Sequence, residues 1–278
     1  MQYCYNGEYY KEGEKVLGPE NRALKFGDAL FETILVANTN CYYLDQHLER
    51  LKRGMSVMGM EMPDEYNQKY FERKIRRLLN KNHHIKGARL RLTVFRNDGG
   101  LYTPTDNKVS FILESSELDT IGYTFNKTGL SVDIYPDMGK QYNIISEYKS
   151  ANASLFVLAG LWRQKNELDD CIILNDKNEV CEALSSNVFI IKNDKIYTPP
   201  IKSGCVNGIM RNVVVDLLRK NNIEVDTETS ITIDDLNEAE EFFLTNSISG
   251  IRKVLIFRDK RYYSMKTRRI SQILSENS

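Results

Sequence analysis

The sequence lacks an excess of either charge. Its 278 residues carry 38 Lys and Arg against 38 Asp and Glu, for a formal net charge of zero. Without a basic surplus there is no electrostatic footprint for nucleic acid or an anionic membrane, so any bound anion must be held by a local site. Cysteine is scarce too: Cys4, Cys41, Cys171, Cys181 and Cys205 are odd in number, far apart and form no CxxC pair. That spacing argues against a disulfide framework and against a structural zinc site, so no metal is expected and a reducing compartment fits. No segment approaches the roughly 20 apolar residues that span a bilayer. The opening stretch, MQYCYNGEYYKEGEK, has no apolar signal-peptide core. The expectation is a soluble, cytoplasmic protein. Internal repeats and low-complexity tracts are also missing, which excludes solenoids and disordered arrays.

What is present suffices for a folded core. The chain is 41% hydrophobic and 10% aromatic, and its length suits one large or two medium domains. In the first 115 residues, the β-branched runs FETILVAN, ARLRLTVFR and KVSFILES alternate with helical patterns, which reads as α+β. One helix is predicted to start at Asp45 as N-cap, carrying Leu48, Leu51, Met55 and Met58 along one face. A second is predicted in DEYNQKYFERKIRRLLNKN. The polar stretch ELDTIGYTFNKTG marks a boundary near residue 120, giving a small domain over 1–119 and a larger one over 120–278. Beyond it come LSVDIYP, a helix after Lys149, the strands DCIILND, EVCEA, NVFIIKN and KIYTPP, the helix GIMRNVVVDLLRKN, and the strand EFFLTNS.

Several short stretches could carry chemistry, each with a plainer reading beside it. Lys149 in EYKSANASLFVLAGLW precedes an apolar helix that Ser150 or Asn152 could cap. An amine at the positive end of a helix dipole has a lowered pKa, as covalent catalysis by lysine requires, although most such lysines are only solvated. In TPPIKSGCVNGIMRNVVVDLL, Gly208 lets the chain turn so that the N–H groups of Ile209 and Met210 face outward, an anion site or simply a loop-to-helix junction. The turn Thr245–Asn246–Ser247 with Ser249 offers hydroxyls and amides that can cradle a phosphate, although such turns are common. Arg50 in HLERLKRGM could fork onto a phosphate or remain solvated. Glu182 in EVCEALSSNVF stands among small residues, where a carboxylate needs a pairing cation from either protein or ligand.

Taken in order, FGDALFETI, HLERL, KSAN, CEALSSNVFII, IYTPP, GIMR and LTNS resemble the class IV aminotransferases, the fold type IV enzymes that use pyridoxal 5'-phosphate (PLP). The family includes branched-chain aminotransferases, D-amino-acid aminotransferases and 4-amino-4-deoxychorismate lyases. The resemblance runs nearly the whole length of the chain. It implies a small N-terminal α+β domain, a larger C-terminal domain on a barrel-like sheet, PLP in the cleft, and a homodimer. It also implies that Lys149 bonds covalently to the cofactor and that Glu182 faces the pyridine nitrogen. Arg50, the backbone of Ile209 and Met210, and Asn246–Ser247 fall on phosphate-binding positions. Phe31, Arg91 and Arg96 fall on the substrate side, where the arginines suit an acidic amine substrate.

Within the family, GCVNGIMR is similar to the lyases, whereas aminotransferases more often have Gly-Ile-Thr-Arg there. Ala153 after Asn152 and Thr33 after Glu32 depart from the branched-chain pattern, and Ala29 stands where the family usually has glycine. The expected reaction is cleavage of 4-amino-4-deoxychorismate to 4-aminobenzoate and pyruvate, serving folate synthesis. The alternative is a branched-chain or D-amino-acid aminotransferase. A non-catalytic PLP-binding protein is disfavoured by the presence of both Lys149 and Glu182.

Overall fold

The computed structural model describes residues 1–119 and 122–277. The chain divides into two compact units, residues 1–122 with 148–152 and residues 123–147 with 153–278. The boundary expected at 119/120 falls against Thr120 and Ile121, which lie outside the described residues. The five-residue return, Tyr148–Asn152, carries Lys149 into the first unit.

The first unit runs β1 (Gln2–Tyr5), β2 (Glu8–Lys11), α1 (Arg22–Phe26), β3 (Ala29–Ala37), β4 (Asn40–Cys41), α2 (Leu44–Val57), α3 (Gln68–Asn82), β5 (Gly87–Arg96) and β6 (Val109–Glu117). Its six strands form one sheet in the order β2-β1-β6-β5-β3-β4, antiparallel at every pairing. Because side chains alternate along a strand, Leu30, Glu32 and Ile34 point to one face of β3, and Ala29, Phe31 and Thr33 to the other. The first face meets α2 and α3 in a core that includes Leu51, Met55, Phe71, Ile75, Leu92 and Phe111. The helical periodicity of α2 is as expected, but its start is not. Tyr43 caps it in a left-handed conformation (φ 54°) with no side-chain hydrogen bond, and Asp45 lies inside the first turn, where its negative charge complements the positive helix end. Ala29 is buried and simply begins β3 opposite Phe95, so the missing glycine requires no unusual backbone there.

The second unit comprises β7 (Leu130–Ile134), α4 (Ser154–Lys165), β8 (Asp170–Leu174), β9 (Val180–Ala183), β10 (Asn187–Lys192), β11 (Lys195–Tyr197), α5 (Ile209–Lys220), β12 (Val225–Asp226), α6 (Ile233–Glu238), β13 (Glu241–Asn246), β14 (Gly250–Phe257), β15 (Lys260–Arg261) and α7 (Met265–Glu276). Its sheet has nine strands in the order β12-β11-β10-β13-β14-β7-β8-β9, with β15 on β14. Strand β9 ends this order, yet residues 184–186 alone join it to β10 near the opposite edge. Three residues reach only about 10 Å, so the sheet has to curl back on itself. Its core includes Val132, Ile172, Val188, Phe242, Leu244 and Val254. The architecture is α+β, as expected.

Candidate functional site

In the first unit the lysine segment is extended rather than helical. Phe31 donates its N–H to the Lys149 carbonyl at 2.8 Å, Ala151 donates to the Ala29 carbonyl at 2.9 Å, and Leu30 bridges Ser150. Lys149 is thus laid along β3 as an extra short strand. Helix α4 begins only at Ser154, and its cap, Ala153, makes no side-chain hydrogen bond. Neither Ser150 nor Asn152 caps it, so the helix-dipole argument for Lys149 does not hold, since that field fades within about one turn. The tight packing of this return is visible at Gly27, which has φ 65° and whose missing Cβ would stand 2.5 Å from the Asn152 amide oxygen.

Three of the predicted residues converge on the sheet face opposite the core. The Lys149 ammonium lies 4.9 Å from the centroid of the Phe31 ring, and the Arg91 guanidinium carbon lies 3.7 Å from it. Arg91 stands opposite Thr33 in register, and its Nε donates to Thr93 Oγ1 at 3.2 Å. Burial draws the Arg91 pKa down, with Glu114 pushing it back and Arg89 adding to the fall. A guanidinium remains charged at neutral pH even so. An amine and a fixed fork donor beside one aromatic plane can take an acidic, planar substrate.

Arg50 and Arg96 are placed differently. Arg50 is buried on the core side of the sheet, where its Nε donates to Glu32 Oε1 at 2.8 Å and its Nη2 to Glu32 Oε2 at 2.5 Å. His47 Nδ1 shares the same carboxylate at 2.6 Å. Burial alone would raise the Glu32 carboxyl, but the charge of Arg50 and the His47 hydrogen bond hold it down at about 2. Arg96 is a correction to the sequence reading. It is 5% exposed, and its donors go to Asp28 Oδ2 (2.9 Å), the Gly59 carbonyl (3.2 Å), Asn107 Oδ1 (2.5 Å) and the Met58 carbonyl (2.6 Å). Four of its five N–H groups are thereby used to tie loops together, and Asp28 also receives Arg22 Nε at 2.8 Å. Arg96 serves the fold rather than a substrate.

The second unit holds the remaining predicted residues. Glu182 on β9 is 4% exposed, and its Oε2 accepts the Val206 N–H at 3.1 Å. Its Oε1 accepts from Lys140, whose ammonium also reaches the Ser146 carbonyl at 3.3 Å. Burial alone would lower the Lys140 pKa, and the Glu182 carboxylate more than reverses this, so Lys140 titrates above an ordinary lysine. Two residues beyond Val206, Gly208 starts α5 with no capping side chain, so the first N–H groups of Ile209 and Met210 have no intrahelical acceptor. Asn187 fixes this start by donating to the Val206 carbonyl at 2.8 Å. Asn187 pairs in register with Thr245, whose buried hydroxyl has no partner among the described residues. The neighbouring Asn246 closes the turn, accepting from Ile248 N at 3.0 Å and Ser249 N at 2.8 Å and donating to Ser186 Oγ at 3.0 Å. A buried carboxylate, an uncapped helix start and an unsatisfied hydroxyl therefore share one end of this sheet.

The family model for amino-transferase class IV matches residues 29–257. The chain belongs to the class IV aminotransferases. This is a family of PLP-dependent enzymes. Among the similar proteins, a D-alanine aminotransferase from Bacillus licheniformis is 25% identical over 268 residues, covering 90% of this chain and 86% of its own. An aminodeoxychorismate lyase from Bacillus subtilis is 25% identical over 249 residues, covering 88% and 83%. A solved branched-chain aminotransferase from Thermoproteus uzoniensis, with norvaline, superposes with a TM-score of 0.87 at 19% identity, covering 98% of this chain and 92% of that one. The class IV fold is thereby shared with enzymes of three activities.

The residues present fit the family's cofactor. An uncapped helix start beside an orphaned hydroxyl suits a phosphate, and a buried carboxylate suits a protonated ring nitrogen. Thr245 belongs to the hydroxyl-rich turn expected to cradle a phosphate, whereas Lys140, Ser186 and Asn187 were not anticipated from the sequence. Ser186 and Asn187 lie inside the recognised CEALSSNVF stretch, which is the signal that could have found them. For Lys140, in DMGKQY, no local pattern distinguishes it from the other lysines.

Proposed function

We propose that the chain is a PLP-dependent 4-amino-4-deoxychorismate lyase, releasing 4-aminobenzoate and pyruvate. The observation that carries this reading is the place of Val206-Asn207-Gly208-Ile209-Met210-Arg211, the stretch similar to the lyases. Its Val206 N–H binds Glu182, and its Gly208 opens α5, so the lyase-like residues are those that would set the cofactor's ring and phosphate. In this reading Ile209, Met210 and Ser247 would hold the phosphate, with Asn246 closing the turn that presents Ser247. Glu182 faces the ring nitrogen, and Lys149 bonds to the cofactor. The cofactor supplies an electron sink for charge that builds up on the amine-bearing carbon. Lys149 would be the base placed to take the proton from that carbon. Electrons left behind expel the enolpyruvyl oxygen from the neighbouring carbon, which restores the aromatic ring, and the enol leaves as pyruvate after gaining a proton. Arg91, stacked on Phe31, holds the ring carboxylate.

The second reading, a D-amino-acid or branched-chain aminotransferase, draws on relatives of those activities at comparable identity. The two separate in a pair of assays, one with aminodeoxychorismate and one with D-alanine or leucine plus 2-oxoglutarate. We expect 4-aminobenzoate in the first and little glutamate in the second. Glutamate without 4-aminobenzoate would reject the lyase. Lys149→Ala should abolish both activities and the absorbance at about 400–430 nm of the bound cofactor; an unchanged spectrum removes Lys149 from the chemistry. A homodimer in the cytoplasm, acting on a small acidic amine, completes the proposal.

A further inference from the structure

Glu182 does not stand alone. Its two oxygens are divided between the Val206 N–H and the Lys140 ammonium, and both contacts come from segments remote in sequence. Lys140 is held in turn. Its backbone N–H donates to the Leu174 carbonyl at 2.8 Å, its ammonium reaches the Ser146 carbonyl, and the Phe156 ring lies 5.5 Å from the ammonium. The loop it begins is closed by Ser146, whose hydroxyl accepts from Asn143 N at 2.8 Å and donates to the Gln141 carbonyl at 3.1 Å. At its far end the Glu147 carbonyl accepts from Asn207 N at 3.0 Å. The lysine side chain is 13% exposed and the glutamate side chain 5%, so the pair is shielded from solvent and neither charge tolerates loss of the other.

We propose that Lys140 is a positioning residue for the cofactor chemistry. It fixes the rotation of the Glu182 carboxylate and supplies the countercharge that lets this buried group meet a ring nitrogen as a carboxylate, so that the shared proton sits on the nitrogen. The ammonium touches one Glu182 oxygen directly, whereas a ring nitrogen would lie beyond that carboxylate. Its field therefore favours the ionised glutamate more than it opposes a protonated ring. Because its amine is engaged as a charged donor, Lys140 is also unfit to bond to the cofactor itself, a role left to Lys149. The inference rests on the PLP reading above.

The test uses Lys140→Met, Lys140→Arg, Glu182→Gln and the double variant Lys140→Met/Glu182→Gln. In the holoenzyme, Lys140→Met should move the pH midpoint of the cofactor band by about one unit or more and weaken PLP binding by about tenfold or more. Lys140→Arg should restore both to near wild type. In the apoprotein, infrared spectra of Lys140→Met should gain a neutral-carboxyl band that disappears in the double variant, because the unpaired buried carboxylate takes up a proton. A Lys140→Met enzyme with wild-type midpoint, affinity and carboxyl bands overturns the proposal. Should Lys140→Met fail to fold, the double variant carries no unpaired charge. It must then show the midpoint of Glu182→Gln alone, and a wild-type midpoint would overturn the proposal. If the wild-type protein takes up no PLP, the proposed function falls and the role of Lys140 with it. A carboxyl band that still moves in the apoprotein would then assign the pair to the fold.

Discussion

Glu32 shows how much one buried side chain is asked to do. It lies 1% exposed beneath the sheet face that bears Phe31 and fixes the guanidinium of Arg50 from two directions. Its carboxyl is held at about 2 against an ordinary 4.5. A carboxyl depressed in the folded state contributes stability that is fully present above the unfolded value near 4.5 and is lost as pH falls towards 2. The linkage is worth roughly 3 kcal/mol at neutral pH. Glu32→Gln should therefore destabilise the protein by about 3–5 kcal/mol at pH 7, since it removes the buried carboxylate that Arg50 and His47 share. Urea titrations of wild type and variant should converge as the pH is lowered from 5 to about 2.5, because protonation removes from the wild type what the substitution removed from the variant. A gap that stays constant with pH would show that Glu32 acts through packing alone. Residues of this scale were unevenly readable beforehand. Arg50, Glu182 and Lys149 stand in recognisable stretches, but the direction in which a side chain spends its donors is set by partners remote in sequence. Arg96 could be read as a substrate ligand because Asp28, Met58, Gly59 and Asn107, which consume it, come from three other segments.

At the scale of elements, the periodic helices and the β-branched strands were readable, and their ends were not. Helix α3 is capped locally, by Asn67 accepting from Tyr70 N at 3.1 Å, and so follows from its own residues. Helix α7 is not. Its start is held by Glu241 on β13, which accepts from Lys266 N at 2.9 Å and Thr267 N at 2.8 Å, and only Thr267, Ile270, Ser271 and Leu274 are buried along it. A helix whose cap lies about 25 residues away and whose apolar stripe is this thin leaves little local signal. The start of α5 makes a sharper case. Gly208 has φ −66°, open to any residue, so its glycine is required by space: a Cβ there would stand 1.9 Å from Asn187 Oδ1. Gly208→Ala should displace the Asn187 amide, release the Val206 carbonyl and loosen the N–H that binds Glu182. We expect a cost of about 1–3 kcal/mol in thermal unfolding and a PLP affinity lowered more than tenfold. Unaltered cofactor affinity in a folded Gly208→Ala protein would separate the helix start from the cofactor site.

At the scale of the whole molecule, the helix following Lys149 is the place where sequence and structure diverge most usefully. SLFVLAGLWRQK is apolar enough to suggest a core helix, yet Ala159 is its only buried residue, and Val157, Leu158 and Leu161 are 59%, 48% and 58% exposed. Met138, Tyr142 and Ile144 of the same unit add further exposed apolar surface. A chain of zero net charge has no general repulsion between copies to keep such surface apart. The proposed homodimer gives it an occupant: in a two-fold dimer the same patch meets itself, so one apolar helix face covers another. A single sequence cannot tell burial within a chain from burial between two copies, since both select the same residues. Leu158→Asp with Leu161→Asp places four charges in such an interface, two from each copy, at no cost to the interior of either unit. Sedimentation should then report a monomer where the wild type is a dimer, with the far-ultraviolet circular dichroism unchanged. A variant that remains dimeric would place the contact elsewhere on the molecule, and a wild type that sediments as a monomer would leave α4 without the partner proposed for it.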